Sequence, residues 1–266
     1  MTPATLFIGI AVLLSLAMAV AWLVVARGAR SGWIDASWSF FVGIAGVAAA
    51  LMPVEGWEGD WPRRIGVAGV AAAWSLRLGL HIASRTMRGG DDPRYAALRQ
   101  EWGDDWNGRL FVFLQIQAAA AFLLATTIFL AARNPVPVVQ WSDLAGLVVL
   151  AAAIAGEGVA DAQLARFARN PANRGRVCDV GLWGLSRHPN YFFQWLGWTG
   201  YAIVAICPFG VWPWGWAALA GPAMMYWLLT RASGIPPLEA HMLRSRGPAY
   251  ADYQDRVNAF WPGPQN

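Results

Sequence analysis

Residues Gly181 to Trp195 read GLWGLSRHPNYFFQW. Their centre is a compact polar set, Ser186, Arg187, His188, Pro189, Asn190 and Tyr191, and long apolar runs lie on both sides of the Arg-rich segment that holds it. A charged, amide-bearing, proline-kinked cluster at the mouth of a membrane helix is costly, so polar groups placed there are read first as functional. Arginines alone could set topology, but Asn190 and His188 add nothing to topology. The expected fold is therefore all-α and polytopic, with its chemistry gathered at one membrane face.

Composition agrees with that reading. The 266 residues are 57% hydrophobic and only 14% charged, too few charges for a soluble domain of this size. The 17 Trp suit a chain with two bilayer interfaces. All 20 basic residues are Arg, which excludes Schiff-base chemistry and any lysine base or nucleophile. Cys178 and Cys207 give neither metal spacing nor a disulfide framework. The net charge of +4 comes from arginines clustered in particular loops, so it points to membrane orientation and lipid contact, not to nucleic acid. The apolar start up to Arg27 lacks a basic leader and a small-residue cleavage site, and reads as a retained helix.

Crossing about 30 Å of hydrocarbon takes about 20 helical residues. Seven segments qualify: Ala4–Ala26, Ile34–Met52, Ile65–Ser84, Leu110–Ala132, Trp141–Ala160, Tyr191–Ile206 and Val211–Leu229. The turn Cys207-Pro208-Phe209-Gly210 should fold the last two into a hairpin. The first, third and fifth loops and the tail carry most of the arginines, which puts the N-terminus outside and the C-terminus in the cytoplasm. The segment Ile235 to Val257 is too polar to span and reads as a cytoplasmic helix. No repeat or flexible linker interrupts the chain, so residues 1–266 read as a single membrane domain.

Four constellations could carry chemistry. The fifth loop, Ala165 to Asn190, has five arginines and three asparagines. Guanidinium forks pair with phosphates, so the loop suits either a ligand bearing several phosphates, NADPH before NADH, or anionic lipid. Glu157 and Asp161 lie four residues apart on one helical face, where they either hydrogen-bond a ribose or amide or pair with Arg166 or Arg169. Arg77, His81 and Arg85 form a polar stripe on the third span, followed by Gly90-Asp91-Asp92-Pro93, a capped turn in preference to a metal site. Asp35 opens the second span as either a helix cap, the safer reading, or a buried acid; where a cavity opens here, Asp35 or His81 is the natural proton donor. No HExxH, GxSxG, P-loop or triple-His cluster is present, and no GxGxxG follows a strand, which excludes the corresponding hydrolases and a soluble dinucleotide fold.

GLWGLSRHPNYF, with Asn170-Pro171 and Asn173-Arg174-Gly175 upstream and LRSRGPAYADYQDRVNAFWP downstream, resembles the steroid 5α-reductase C-terminal superfamily. Within it the chain looks like the bacterial membrane proteins of the DUF1295-like branch. The resemblance implies a seven-helix protein of the bacterial inner membrane. Residues 1–132 would hold the first four helices and an apolar substrate cavity, and residues 133–266 the last three helices, their cytoplasmic loops and an NADPH site. Asn190 resembles the family's nicotinamide-side asparagine, and Arg169 and Arg176 its phosphate-contacting arginines. Glu157, Asp161, Arg166, Asn173, Arg174, Leu182, Ser186, Arg187, His188, Tyr191, Arg231 and Tyr253 complete the implied cofactor set. Asp35 falls near the acidic residue that polarises the substrate carbonyl. The family's partner tyrosine on the third span is missing, and Leu80-His81-Ile82 occupies its place, with His81 as substitute. The usual Gly-Glu after the motif is replaced by Phe193-Gln194.

The expected activity is NADPH-dependent hydride transfer to the conjugated C=C of a lipophilic enone, in the manner of a 3-oxo-Δ4-steroid 5α-reductase. The substrate would enter a monomer sideways from the bilayer, with Asp35 and His81 as catalytic groups and no metal. The shared Arg-His-Pro-x-Tyr core leaves an alternative, an S-adenosylmethionine-dependent membrane methyltransferase of the isoprenylcysteine carboxyl methyltransferase type.

Overall fold

A computed structural model describes residues 1–89, 91–137, 140–206, 208 and 211–265, and among these every regular element is helical. Of the expected turn, Cys207, Phe209 and Gly210 lie outside the described residues, as does Gly90 of the third loop. The chain divides into two compact units: Met1–Gly146 with Tyr201–Gly221, and Leu147–Gly200 with Pro222–Asn266.

The first unit contains α1 (Pro3–Ala26), α2 (Gly32–Leu51), α3 (Trp61–Arg88), α4 (Pro93–Trp102) and α5 (Trp106–Ala132). Each start follows from local chemistry. Thr2 caps α1 by accepting from the Thr5 amide at 3.2 Å, ahead of a proline in the first turn. Helix α2 lies at the centre, with Ile34, Val42, Ala45, Ala49 and Ala50 fully buried. Its small residues let neighbours come close: a Cβ on Gly43 would collide with Ser75 of α3, and one on Gly46 with Ile128 of α5. By contrast, Ile8, Val12, Leu16 and Val20 form an exposed row along α1 at helical spacing. An apolar row of this kind faces lipid.

One end of the unit is held by buried guanidiniums. Arg63 forms a two-pronged pair with Asp143 at 2.7 and 2.9 Å and donates to the carbonyls of Asn134 and Val136. Arg64 donates to Ala50 and Leu51, and Arg133 to Ala49, Met52, Trp57 and Glu58, so both caps satisfy carbonyls at the C-terminus of α2. These arginines stabilise helix ends, a use beyond loop orientation.

Two further helices, α6 (Trp141–Arg169) and α7 (Pro189–Ile206), each contribute residues to both units. The second unit ends with α8 (Ala220–Trp227), α9 (Ile235–Arg246) and α10 (Pro248–Arg256). Among the described residues, five helical segments are long and apolar enough to cross a membrane: Pro3–Ala26, Gly32–Leu51, Trp61–Arg88, Pro93–Ala132 and Trp141–Arg169. The protein is therefore an all-α integral membrane protein in contact with lipid.

The segment read as one helix over Val211–Leu229 is instead composite. It comprises a 3-10 stretch (Pro213–Leu219), then α8, then a π turn (Leu228–Ala232). Proline is tolerated only in the first turn of an α-helix, so Pro222 makes the helix restart at Ala220. The polar tail is likewise two helices, because Gly247 adopts φ +55° and Pro248 opens the next turn.

Candidate functional site

In the second unit the GLWGLSRHPNYF stretch is a 3-10 turn (Gly181–Gly184), a short link and the first turn of α7. Gly181, at φ +62°, sets the turn against Gln163, whose Oε1 accepts from the Leu182 amide at 2.9 Å. The indole of Trp183 donates to the Ala160 carbonyl at 2.9 Å, and the Trp183 carbonyl accepts from the Tyr253 hydroxyl. The motif is thus tied to α6 on one side and to α10 on the other.

Its most polar residues are used inside this unit. Ser186 is fully buried, donates to the Phe260 carbonyl at 3.0 Å and accepts from the His188 amide at 3.1 Å. Arg187 forks onto Glu239 of α9 at 2.7 and 3.1 Å and also donates to the Gln254 and Val257 carbonyls. His188 meets the same carboxylate through Nε2 at 2.9 Å, and Gln254 donates to it at 2.8 Å. Tyr191 stacks on His188 with ring centroids 5.4 Å apart. Glu239 thereby gathers an arginine, a histidine and an amide, and locks the tail onto the loop.

Burial pushes the Glu239 carboxyl up, but the hydrogen bonds from His188 and Arg187 and the charge of Arg187 outweigh it and bring it down to about 2 from 4.5. For His188, burial outweighs the carboxylate and holds the imidazole below 6.5, so it serves as a neutral donor to Glu239. The signs agree. Below about pH 6.5 the unfolded chain takes up a proton that buried His188 resists, and below about pH 4.5 it takes up one that Glu239 resists. Both lower stability as pH falls. The Glu239 displacement is worth about 3 kcal/mol, lost between pH 4.5 and about 2. Melting temperature in detergent should fall in both windows, and Glu239→Gln should shrink the acid one, leaving the part that Asp92 contributes; a Glu239→Gln profile matching wild type there would remove the carboxylate from this role.

The remaining cofactor candidates present themselves differently. Glu157 is buried on α6, and one turn on Asp161 is half-buried and accepts from the Asn190 amide at 3.3 Å. The amide that meets Asp161 is thus Asn190's own. Asn173 donates to the Phe167 carbonyl, and Leu182 is half-buried. Arg166, Arg169, Arg174, Arg176 and Arg231 are all exposed, the last in the π turn after α8. The arginines of this unit therefore include one half-buried structural member, Arg187, and a set of exposed ones.

The first unit holds the other candidates. Asp35 is not a cap. It lies inside the first turn of α2, beyond Ser31, and its carboxylate faces another element: Oδ2 pairs with Arg94 of α4, and Oδ1 accepts from the Tyr95 hydroxyl at 2.9 Å. Gln117 of α5 donates to the same hydroxyl at 3.3 Å. The hydroxyl proton in this contact is Tyr95's, donated to Asp35 Oδ1. His81 is exposed on α3, and the hydroxyl that meets Asp35 belongs to Tyr95. The third-loop turn is a capped one: Asp92 accepts from the Arg94 amide at 3.0 Å, and Arg94 and Arg85 hold its carboxyl below the usual range against the opposing effect of burial. Sequence reasoning missed Arg94, Tyr95 and Glu239. The available signals were slight: Arg94 and Tyr95 follow a helix-capping Asp-Pro, and Glu239 is the lone carboxylate of its helix.

The family pattern of DUF1295, described as a protein of unknown function, matches residues 21–257. The chain belongs to the DUF1295 family. No curated protein and no solved structure matches it. In this DUF1295 chain the match spans both the Asp35–Arg94–Tyr95 cluster and the Ser186–Asn190 motif.

Proposed function

We propose that this DUF1295 protein is an NADPH-dependent membrane reductase that adds hydride to the conjugated C=C of a lipophilic enone, in the manner of a steroid 5α-reductase. The observation that carries the reading is the hydroxyl of buried Tyr95, hydrogen-bonded to Asp35 and Gln117, on a ring that packs against Phe113. A conjugated ketone accepts hydride at its β-carbon only if the developing enolate oxygen meets a donor in a dry setting. Tyr95 supplies that donor by exchanging Asp35 for the substrate oxygen, while Arg94 keeps Asp35 in place as the acceptor to which the hydroxyl returns.

The second unit offers residues that fit the cofactor in part. Asn190, beside Asp161, has the donor and acceptor needed for a carboxamide. Arg166, Arg169, Arg174 and Arg176 are exposed and suit phosphates. Ser186, Arg187, His188 and Tyr253 are engaged internally and serve to hold the loop. When bound, NADPH supplies the hydride, and the chain supplies placement.

The reading includes seven spans in a bacterial inner membrane, with the N-terminus outside, the C-terminus cytoplasmic and the molecule a monomer. The sixth span would be α7, of 18 residues, and the seventh the composite run through Pro213–Ala232. A methyltransferase using S-adenosylmethionine is the second reading, favoured by one fact: Glu239 occupies Arg187 and removes it from phosphate binding.

Titration of the detergent-purified protein by thermal shift separates the two. A ligand that binds only the folded state raises apparent stability by mass action. NADPH should raise the melting temperature more than NADH, with no response to S-adenosylmethionine. Asn190→Ala should weaken the NADPH response by about tenfold in concentration without lowering the melting temperature of the free protein. A response to S-adenosylmethionine alone transfers the protein to the methyltransferase reading, and an unaltered Asn190→Ala titration removes Asn190 from the site.

A further inference from the structure

A crevice of about 210 Å³ opens within the first unit, away from Tyr95 and Asp35, lined among others by Val25, Arg30, Asp91, Arg99, Trp106 and Asn107. It is lined by the C-terminus of α1 and the residues after it, by Asp91 ahead of α4, by the last turn of α4 and by the start of α5. The same end carries Trp22, whose indole donates to the Asn107 carbonyl at 2.9 Å, and the Trp102–Trp106 pair, 5.8 Å between centroids. Indoles on membrane helices settle at the headgroup level, so the crevice opens at that depth.

Its charges are arranged for an anion with a donor arm. Arg30 spends one nitrogen on the carbonyls of Thr86 and Met87, at 2.6 and 2.9 Å, which fixes the guanidinium in place. A guanidinium has five N–H donors, so Arg30 keeps others. Arg99 lies with its guanidinium carbon 5.7 Å from the Trp106 ring, which orients the fork over an aromatic wall. The lone carboxylate of the lining is Asp91. Its Oδ1 accepts from the Ser31 amide at 2.7 Å and from the Ser31 hydroxyl, which leaves Oδ2 for a further donor. Two fixed cations against one carboxylate leave the lining one charge short of neutrality, a deficit that a single anion fills. Exposed Arg27 and Arg88 add to the same field.

We propose that this crevice binds the headgroup of an anionic glycerophospholipid, with its phosphodiester against Arg30 and Arg99 and a hydroxyl of its headgroup arm donating to Asp91. A choline headgroup fails both requirements, since it brings no net charge and no donor. Inorganic phosphate satisfies the arginines but has no acyl chains to run down the α1 surface.

The test uses the full chain, delipidated in detergent, and thermal shift with dioctanoyl phosphatidylglycerol, dioctanoyl phosphatidylcholine and inorganic phosphate. The glycerol lipid should act at a concentration about tenfold below the choline lipid, and phosphate should have no effect. Arg99→Gln and Asp91→Asn should each weaken the glycerol-lipid response by about tenfold while melting as wild type without lipid. Should Arg99→Gln itself melt early, Arg99→Lys replaces it: it keeps the charge and loses the fork, and it too should respond less. Equal action of the two lipids, an equal response to phosphate, or unaltered titration in both the Arg99 and Asp91 variants would overturn the proposal.

Discussion

Glu239→Ala should cost the second unit about 3 kcal/mol, the low end of the loss when one partner of a buried ion pair is removed, because this pair is only partly buried. The size follows from what the carboxylate holds. Its side chain is 13% exposed and that of Arg187 11%, so neither charge is well hydrated. Without Glu239, Arg187 is left with the Gln254 and Val257 carbonyls and Tyr250, while His188 and the Gln254 amide lose the acceptor they share. Helices α9 and α10 should then open locally, since Tyr250, Tyr253 and Val257 form a small core that this network closes. Hydrogen exchange over residues 235–257 reads the effect directly. Wild-type protection there, together with a wild-type melting temperature, would show that the small core docks the tail unaided.

Tyr95→Phe should lower turnover of a 3-oxo-Δ4 steroid with NADPH by about 10²–10³, the loss seen when one donor to a developing oxyanion is deleted. The ring and its packing on Phe113, at 6.3 Å between centroids, are kept, so stability should fall by only about 1 kcal/mol for the lost hydrogen bond. NADPH affinity should fall much less than turnover, because the hydroxyl acts on the developing enolate oxygen and not on the cofactor. Asp35→Asn retains an acceptor for Tyr95 but loses the ion pair with Arg94 and should again reduce turnover more than cofactor affinity. Turnover by Tyr95→Phe at the wild-type rate would place the proton donor elsewhere. Equal loss of turnover and affinity in Asp35→Asn would make that carboxylate a structural tie between α2 and α4.

The two predictions differ in how far the sequence foresaw them. Ser186, Arg187, His188 and Tyr253 were legible as a group because they crowd one motif and its matching tail. Their employment was not legible, because Glu239 lies 52 residues from Arg187 and no local spacing links them. The same holds for Tyr95, 60 residues from Asp35 and on a different helix. The pattern of a missing tyrosine drew attention to His81 on the third helix, while the hydroxyl beside Asp35 came from the next one. Chain topology supplied it: the turn capped by Asp92 folds α4 back beside the start of α2, where Ser31 binds Asp91.

The amino-acid sequence alone determined the membrane character, the helical class and the places where the long helices run. Those depend on composition and on hydrophobic length, which are local sums over neighbouring residues. It also determined the turn capped by Asp92, since capping acts within one helical turn, whereas the tail reads as one continuous helix through the break at Gly247 and Pro248. The tertiary structure alone decided which charges are spent on holding the fold. Arg63, Arg64, Arg133 and Arg187 look like any other loop arginine along the chain, yet each is committed to carbonyls or a carboxylate brought in from elsewhere. A guanidinium's role depends on the acceptors within about 3 Å of it, and these are assembled only when the helices pack.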